Sequence, residues 1–283
     1  MININYEMSA PCLIAVSGGR TSGFMLRQIL DAHGGSLPNG VHAVFNNTGL
    51  EHESALLFLR DISIHWGVHI HWLEYRHTPD ADKKHTYVEV NFQSASRNGE
   101  PFTQLITAKQ MLPNPMTRFC TAELKIRTSN RWAKDQGYDE WHRAVGLRWD
   151  EPRRVSKLKG DIKSEMVLCP MSDAKHTLDD VTDFWTNHPF DLNLPGNDDA
   201  FGNCSLCFLK GKHKIAKVIR SRPDLADWWI EQESRTDLGA TGDGRTFRID
   251  RPTYHQIRTQ LDQQGNMFDD AIEDDTLPCN CTD

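Results

Sequence analysis

Apolar and polar positions alternate along the chain in two rhythms. Residues 12–16, Cys-Leu-Ile-Ala-Val, form a short unbroken apolar run of the kind buried on both faces of a sheet, and residues 22–30 then follow helical spacing. A second apolar run at 41–45 is followed by a helical pattern over 51–66, with Leu56, Leu57, Leu59, Ile62 and Ile64 on its apolar positions and acids early; a third run occupies 68–73. Strand, helix, strand, helix, strand predicts a parallel sheet with crossover helices. Residues 79–98 have no sustained period and read as a long loop able to order over a substrate. Helices are expected at 102–111, stopped by Pro113 and Pro115, and at 121–136, stopped by Gly137. A strand at 141–147 leads into the charged stretch 148–154, read as a loop, then a short extended piece at 166–170 and a helix to about 188 opened by Thr177 and Asp180. Past the Asp-, Asn-, Pro- and Gly-rich residues 191–203 come a basic helix to Arg220, a helix carrying Trp228 and Trp229 with Pro223 in its first turn, a loop or hairpin at 237–250, and a last helix at 254–264. The fold class expected is therefore α/β: a doubly wound, mostly parallel sheet in residues 1–200, with a helical, cysteine-containing extension at 201–283 packed on it.

Composition narrows the setting. At 283 residues, with 38% hydrophobic and 25% charged side chains, the chain can bury a full core, and no run approaches a transmembrane length. Its first residues carry Glu7 and no basic residue, unlike a secretory signal, so a cytoplasmic protein without membrane association is expected. The net charge of −7 conceals an asymmetry: residues 118–163 hold 12 Lys/Arg against 7 Asp/Glu, residues 204–222 hold six Lys/Arg and no acid, and residues 223–283 hold 5 against 14. Two basic segments in an acidic chain suit a focused polyanion site better than a coated surface, although each also fits a solvated helix face.

The candidate chemistry begins at Ser17-Gly18-Gly19-Arg20-Thr21-Ser22, a glycine turn between a buried strand and a helix. Backbone N–H groups of such a turn converge on one point, and the helix dipole favours an anion there. The loop lacks the Lys-Ser/Thr ending of the Walker form and the third glycine of the dinucleotide fingerprint; what remains, SGGxxS, suits pyrophosphate. Asn46-Asn47-Thr48-Gly49 ends the second run, where an open α/β sheet binds ligands.

Four motifs in order, SGGRTS at 17–22, Asn47-Thr-Gly-Leu-Glu51, Cys120-Thr-Ala-Glu-Leu-Lys125, and Gly146-Leu-Arg148 with Asp150-Glu151 and Arg153-Arg154, resemble those of the phosphoadenosine phosphosulfate (PAPS) reductase family of the PP-loop ATP pyrophosphatase superfamily. The resemblance spans about residues 10–210 and implies a Rossmann-type, adenine nucleotide α-hydrolase-like sheet. By that resemblance, Ser17, Gly18, Gly19, Arg20, Thr21 and Ser22 hold phosphate, Asn47, Thr48 and Gly49 lie near the nucleotide, and Lys125 and Arg148 meet phosphate or sulfate oxygens. Asp150 and Glu151 would bind the Mg²⁺ of ATP, or alternatively pair with Arg153 and Arg154. Assimilatory reductases of this family end in Glu-Cys-Gly-x-His, whose cysteine is the nucleophile; here the tail is Leu277-Pro-Cys-Asn-Cys-Thr-Asp283. The chain thus looks more like the reductase-like proteins of phages and DNA-modification loci, including the sulfur-transfer ATP pyrophosphatases of DNA phosphorothioation.

Seven cysteines in a chain of this kind suggest metal or redox chemistry before disulfides. Cys204-x-x-Cys207 is compatible with a zinc half-site, an iron–sulfur half-site or a redox pair. Cys120 lies upstream at a spacing similar to that of the cluster cysteines in adenosine-phosphosulfate reductases. That likeness implies a [4Fe–4S] cluster, with zinc as the alternative, held by Cys120, Cys204, Cys207 and a fourth ligand: Cys279 or Cys281, with Cys169 behind them. Cys12 reads as core, as do Trp228 and Trp229, and the thirteen histidines show no metal spacing such as H-E-x-x-H. The activity implied is adenylation of an oxygen with release of pyrophosphate, followed by replacement of that oxygen by sulfur from a cysteine desulfurase. The acceptor would be a nucleic acid, DNA more than RNA. A PAPS or adenosine-phosphosulfate reductase with a C-terminal cysteine nucleophile and a non-catalytic nucleotide- or cluster-sensing module are the alternatives, and a homodimer is compatible with the sequence.

Overall fold

The computed structural model describes residues 4–78, 85–158, 161–162, 164–239, 245–264 and 276–277. Strands β1 (Cys12–Ala15), β2 (Val41–Asn47), β3 (Ile70–His77), β4 (His85–Val90), β5 (Trp141–Ala144), β6 (Asp161–Ile162) and β7 (Glu165–Leu168) form one sheet in the order β4-β3-β2-β1-β5-β7-β6. The central five are parallel, and the two edge strands run antiparallel to their neighbours. The fold is thus the α/β, doubly wound, mostly parallel sheet the sequence predicts.

Unbroken apolar runs give buried strands because both faces are covered. In β1, Cys12 and Ile14 enter the main core with helices α1 (Arg20–Ala32) and α2 (Glu53–Trp66). Leu13 points the other way and packs with Val44, Leu73 and Trp132. Trp132 belongs to α4 (Thr128–Asp135); α3 (Glu100–Lys109) precedes it and lies beside β3. Beyond β5 come α5 (Pro152–Leu158), α6 (Pro170–Asp173) and α7 (Leu178–Thr186), the last opened by the expected reciprocal bonds between Thr177 and Asp180. The basic α8 (Lys212–Ser221), the tryptophan-bearing α9 (Asp227–Ser234) and α10 (Tyr254–Gln264) complete the order.

Three expectations are corrected. Residues 79–98 contain β4, which pairs with β3 from Trp72↔Val90 to His77↔His85; it is a half-exposed edge strand with polar residues, so it shows no hydrophobic period. Residues 121–136 are not one α-helix: Thr121–Arg127 is a π-helix continuing into α4, a form associated with functional sites. The charged stretch 148–154 runs into α5 because Pro152 supplies a helix start.

Residues after 200 share the main core. Leu206, Phe208, Ile215, Val218, Trp229, Tyr254 and Ile257 are buried in the same cluster as β1 and α1, and the Tyr254 hydroxyl donates to Leu206 O at 2.6 Å. Gly99, at φ +73°, sits under the Trp228 indole, and a Cβ there would stand 2.4 Å from Nε1. Only glycine permits that contact.

Candidate functional site

Strand order locates the site. β1 has β2 on one side and β5 on the other, so successive connections leave it in opposite directions, which opens a crevice at the strands' carboxyl ends. The glycine loop follows β1 there. Gly18 has φ +79°, and a Cβ would meet Ala55 at 3.2 Å, so a left-handed turn pressed against α2 fixes glycine. The loop is braced from within: Ser22 Oγ accepts from Ser17 N at 3.1 Å, donates to Gly19 O at 3.0 Å and lies 3.0 Å from Ser17 Oγ. Gly19 caps α1 without a side-chain hydrogen bond, which leaves first-turn N–H groups for an anion.

A cavity of about 120 Å³ opens beside this loop. Ser17, Asn46, Lys125 and Asn130 line it, with Arg143 and Glu165 among its walls. Arg143 of β5 and Glu165 of β7 are both buried and joined by two bonds, Nε–Oε1 at 2.6 Å and Nη2–Oε2 at 3.0 Å. Arg143 also donates to Asn130 Oδ1. Sequence reasoning placed Asn46 at the polar strand end where ligands bind, and missed Asn130, Arg143 and Glu165. The charge inside the run 141–147 was the one available signal for Arg143, since a buried cation needs a partner.

Arg148, beyond β5, reaches the same helix N-terminus, donating from Nη1 to Thr21 Oγ1 at 3.3 Å. Its Nε also donates to Asp150 Oδ1 at 2.9 Å, and its backbone N–H to Glu151 Oε2 at 3.1 Å. Glu151 is held further by Arg154. Both carboxylates proposed for Mg²⁺ are thus engaged with arginines, Arg148 and Arg154 rather than Arg153. Arg20 is likewise committed, donating twice to Asp191 at 2.8 and 2.7 Å and once to Leu192 O at 2.8 Å.

Asn47, Thr48 and Gly49 do not line this cavity, and Thr48 borders the thiol space instead. The Asn47 amide is fully buried, donates to Glu74 Oε1 at 2.7 Å and Ser96 O at 2.9 Å, and accepts from Gly49 N at 3.2 Å. Thr48 and Leu50 backbone N–H groups donate to Glu51 at 3.0 and 3.2 Å, and Thr48 Oγ1 lies 3.5 Å from Cys204 Sγ. This turn joins the sheet to the cysteine segment: Glu51 bridges Cys204, and Ser205 N donates to Leu50 O at 3.0 Å.

Three cysteines border one space across the Thr121–Arg127 helix from the cavity beside the glycine loop. Cys120, Cys204 and Cys207 line a small apolar space with Thr48, Phe102, Leu124 and Trp229, and Lys125 borders it too. Burial pushes the Cys204 thiol well above its usual value; Glu51 and Cys207 add to the rise while Lys125 opposes it. The three cysteines do not form a set of ligand atoms within 4.8 Å of one another; among the described residues only His69, His71 and Glu89 do. Cys169 is fully buried with Val145, Leu147 and Val167, apart from the trio, and so does not stand behind them as a ligand. Cys12 is core, as expected. Cys279 and Cys281 lie outside the described residues; Leu277, just before them, donates its backbone N–H to Leu209 O at 2.8 Å, and Leu209 lines the thiol space.

Two lysines organise the surroundings. Lys210 Nζ is ringed by four backbone carbonyls, Ala200 at 2.7, Gly202 at 2.6, Cys204 at 3.1 and Ser205 at 3.0 Å. Lys109 Nζ donates to the buried Glu123 at 2.8 Å, as does Arg127 at 2.5 Å. Burial works to raise the Glu123 carboxyl, but Lys109, Arg127 and Arg131 outweigh it and hold it below the ordinary value.

No family model matches the chain. It is similar to the uncharacterized nin region protein ORF290 of Escherichia phage lambda, 28% identical over 220 residues that cover 75% of this chain and 71% of that protein. Among solved structures it is similar to the PAPS reductase of Candida auris in its phosphate complex, with TM-score 0.38 and 14% identity over 65% of this chain and 76% of that one. Another is the U34-tRNA thiolase NcsA of Methanococcus maripaludis with its [4Fe–4S] cluster, with TM-score 0.38 and 14% identity over 92% and 73%. Likenesses this distant carry no argument about activity, and the strand order and site geometry stand without them. Among the described residues no helix is long and apolar enough to cross a membrane.

Proposed function

We propose that the protein is an ATP pyrophosphatase of the PAPS reductase type that activates an oxygen for sulfur transfer, with a nucleic acid, DNA more than RNA, as acceptor. One observation carries this reading: Lys125 borders both the polar cavity beside the glycine loop and the apolar space of the three thiols. An anion site and a sulfur site separated by two side chains of one helical turn, Thr121 and Lys125, suit a reaction that activates at one and exchanges at the other. The first-turn N–H groups of α1, Lys125 and Arg148 would hold the ATP phosphates. The acceptor oxygen attacks the α-phosphorus, the bond to the β-phosphate oxygen breaks, and pyrophosphate leaves. The terminal sulfur of a persulfide then attacks the activated atom of the acceptor, AMP leaves with the original oxygen, and a second thiol cleaves the S–S bond, the disulfide so formed being reduced by an external dithiol.

The donor set of Cys120, Cys204 and Cys207 fits a [4Fe–4S] cluster, with Cys279 or Cys281 as fourth ligand; Leu277, anchored at Leu209, brings the chain toward the thiol space. Such a cluster supplies a place for sulfur to be carried. Asp150 and Glu151 would turn from their arginines to Mg²⁺ as ATP arrives. A cysteine desulfurase is the sulfur donor of this reading, and the basic α8 would track the acceptor's phosphates.

The test is pyrophosphate release from ATP and Mg²⁺, with and without DNA. Lys125→Ala and Arg148→Ala should each lower kcat by about 10²-fold or more. Absence of pyrophosphate with every acceptor would overturn the reading, and sulfite release from PAPS would replace it with sulfonucleotide reduction.

A further inference from the structure

A second inorganic site lies away from both cavities, built from residues whose spacing in sequence gives no sign of it. His71 on β3 and Glu89 on β4 sit on diagonal positions of the antiparallel pair, where side chains share a face and touch. His71 Nδ1 is 2.6 Å from Glu89 Oε1. His69, two residues before His71 and therefore on the same face, brings Nε2 to 3.8 Å from that same oxygen. One ligand atom from each of the three residues lies within 4.8 Å of those of the other two. None of the three lines the polar cavity or the thiol space.

The chemistry of the set is specific. Two imidazoles and a carboxylate are the donors of open zinc sites, where remaining positions are filled by water. Imidazole ligands suit zinc, copper, nickel and cobalt, whereas magnesium and calcium take oxygen. Tetrahedral donors lie about 3.4 Å apart, so the 2.6 Å contact must open and the 3.8 Å contact close by less than an ångström each. His69 is 74% exposed and free to turn, while His71 is fixed from beneath by the Trp132 ring, 4.5 Å between centroids. On the remaining side stands His42 of β2, 5.4 Å from the His71 ring, with Nε2 held 2.9 Å from the Tyr138 hydroxyl. One ligand is therefore rigid, one adjustable, and the third is shared between them.

We propose that His69, His71 and Glu89 bind a divalent transition-metal ion of the zinc class, which clips the edge strand β4 to β3. The ion ties the sheet where a strand edge would otherwise meet solvent. It is distinct from any metal on the cysteines, and the proposal does not depend on the sulfur-transfer reading.

Cobalt(II) is the probe. Chelator-stripped full-length protein titrated with Co²⁺ should give, in the difference between wild type and His69→Asn, visible d–d bands of one ion on nitrogen and oxygen, separate from any thiolate charge transfer of ions on the cysteines. Zn²⁺ should displace it and raise the Tm. In His69→Asn, an exposed change that leaves the strand pair intact, and in Glu89→Gln, Co²⁺ should bind at least about tenfold more weakly and the Zn²⁺-dependent rise in Tm should vanish. Unchanged Co²⁺ affinity in both variants, or absence of N/O-type bands from the wild-type minus His69→Asn difference, would overturn the assignment.

Discussion

The two cavities on either side of the Thr121–Arg127 helix differ in what lies buried in them. The one beside the glycine loop has largely apolar walls but is floored by an ion pair in which each charge is matched, Arg143 by Glu165 and Asn130. The thiol space has aromatic and aliphatic walls, and burial keeps Cys204 protonated. The first is finished as folded and can receive a charged ligand without rearranging its own floor. The second holds a thiol that burial pushes well above its usual value. Matched charge therefore belongs to the first space and an unmatched thiol to the other.

The largest expected break of this contrast is Arg143→Met, which leaves Glu165 charged and buried and should lower unfolding stability by about 3–5 kcal/mol; a change below about 1 kcal/mol in urea titration would show the pair to be ornamental. Lys210→Met comes next. It orphans four carbonyls around the CxxC turn and should lower stability by about 2–3 kcal/mol, with loss of bound iron in anaerobically purified protein. Gly18→Ala should destabilise by about 1–2 kcal/mol through the left-handed turn, and nucleotide affinity, measured by calorimetry, should fall with it. Cys204→Ser is the sharpening case: metal-free stability should move by less than about 1 kcal/mol while metal content collapses.

The smallest effect expected is one of pH. The Glu123 carboxyl lies below its ordinary value of 4.5 because the nearby cations outweigh burial. Its contribution is thus complete above that value and is lost as pH falls through the lower folded value. Urea midpoints of the wild type should drop below pH 4.5 more steeply than those of Glu123→Gln; parallel curves would remove Glu123 from the account.

Much of this was legible in residues because burial writes itself into apolar runs. β1, β2 and α1 follow from such runs, and the Thr177 and Asp180 cap from its spacing. β4 was not legible, since an edge strand exposed on one side needs no apolar alternation. The π-helix was hidden for another reason: an extra residue in a turn leaves no mark on composition. At the site, the glycine loop and Lys125 were visible as motifs. Arg143 with Glu165, and His69 with His71 and Glu89, were invisible because pairing across strands is set by register, and register is not written in local spacing.

Lys210 has one more implication. A ring of four carbonyl oxygens is the coordination shell of a dissolved cation, and here the cation is covalently tethered. The turn carrying Cys204 and Cys207 thus holds its shape at any potassium or sodium concentration. Its ordering entropy is spent during folding, before anything approaches the two thiols. In this protein the ion that shapes the cysteine turn is part of the polypeptide and is inherited with the sequence.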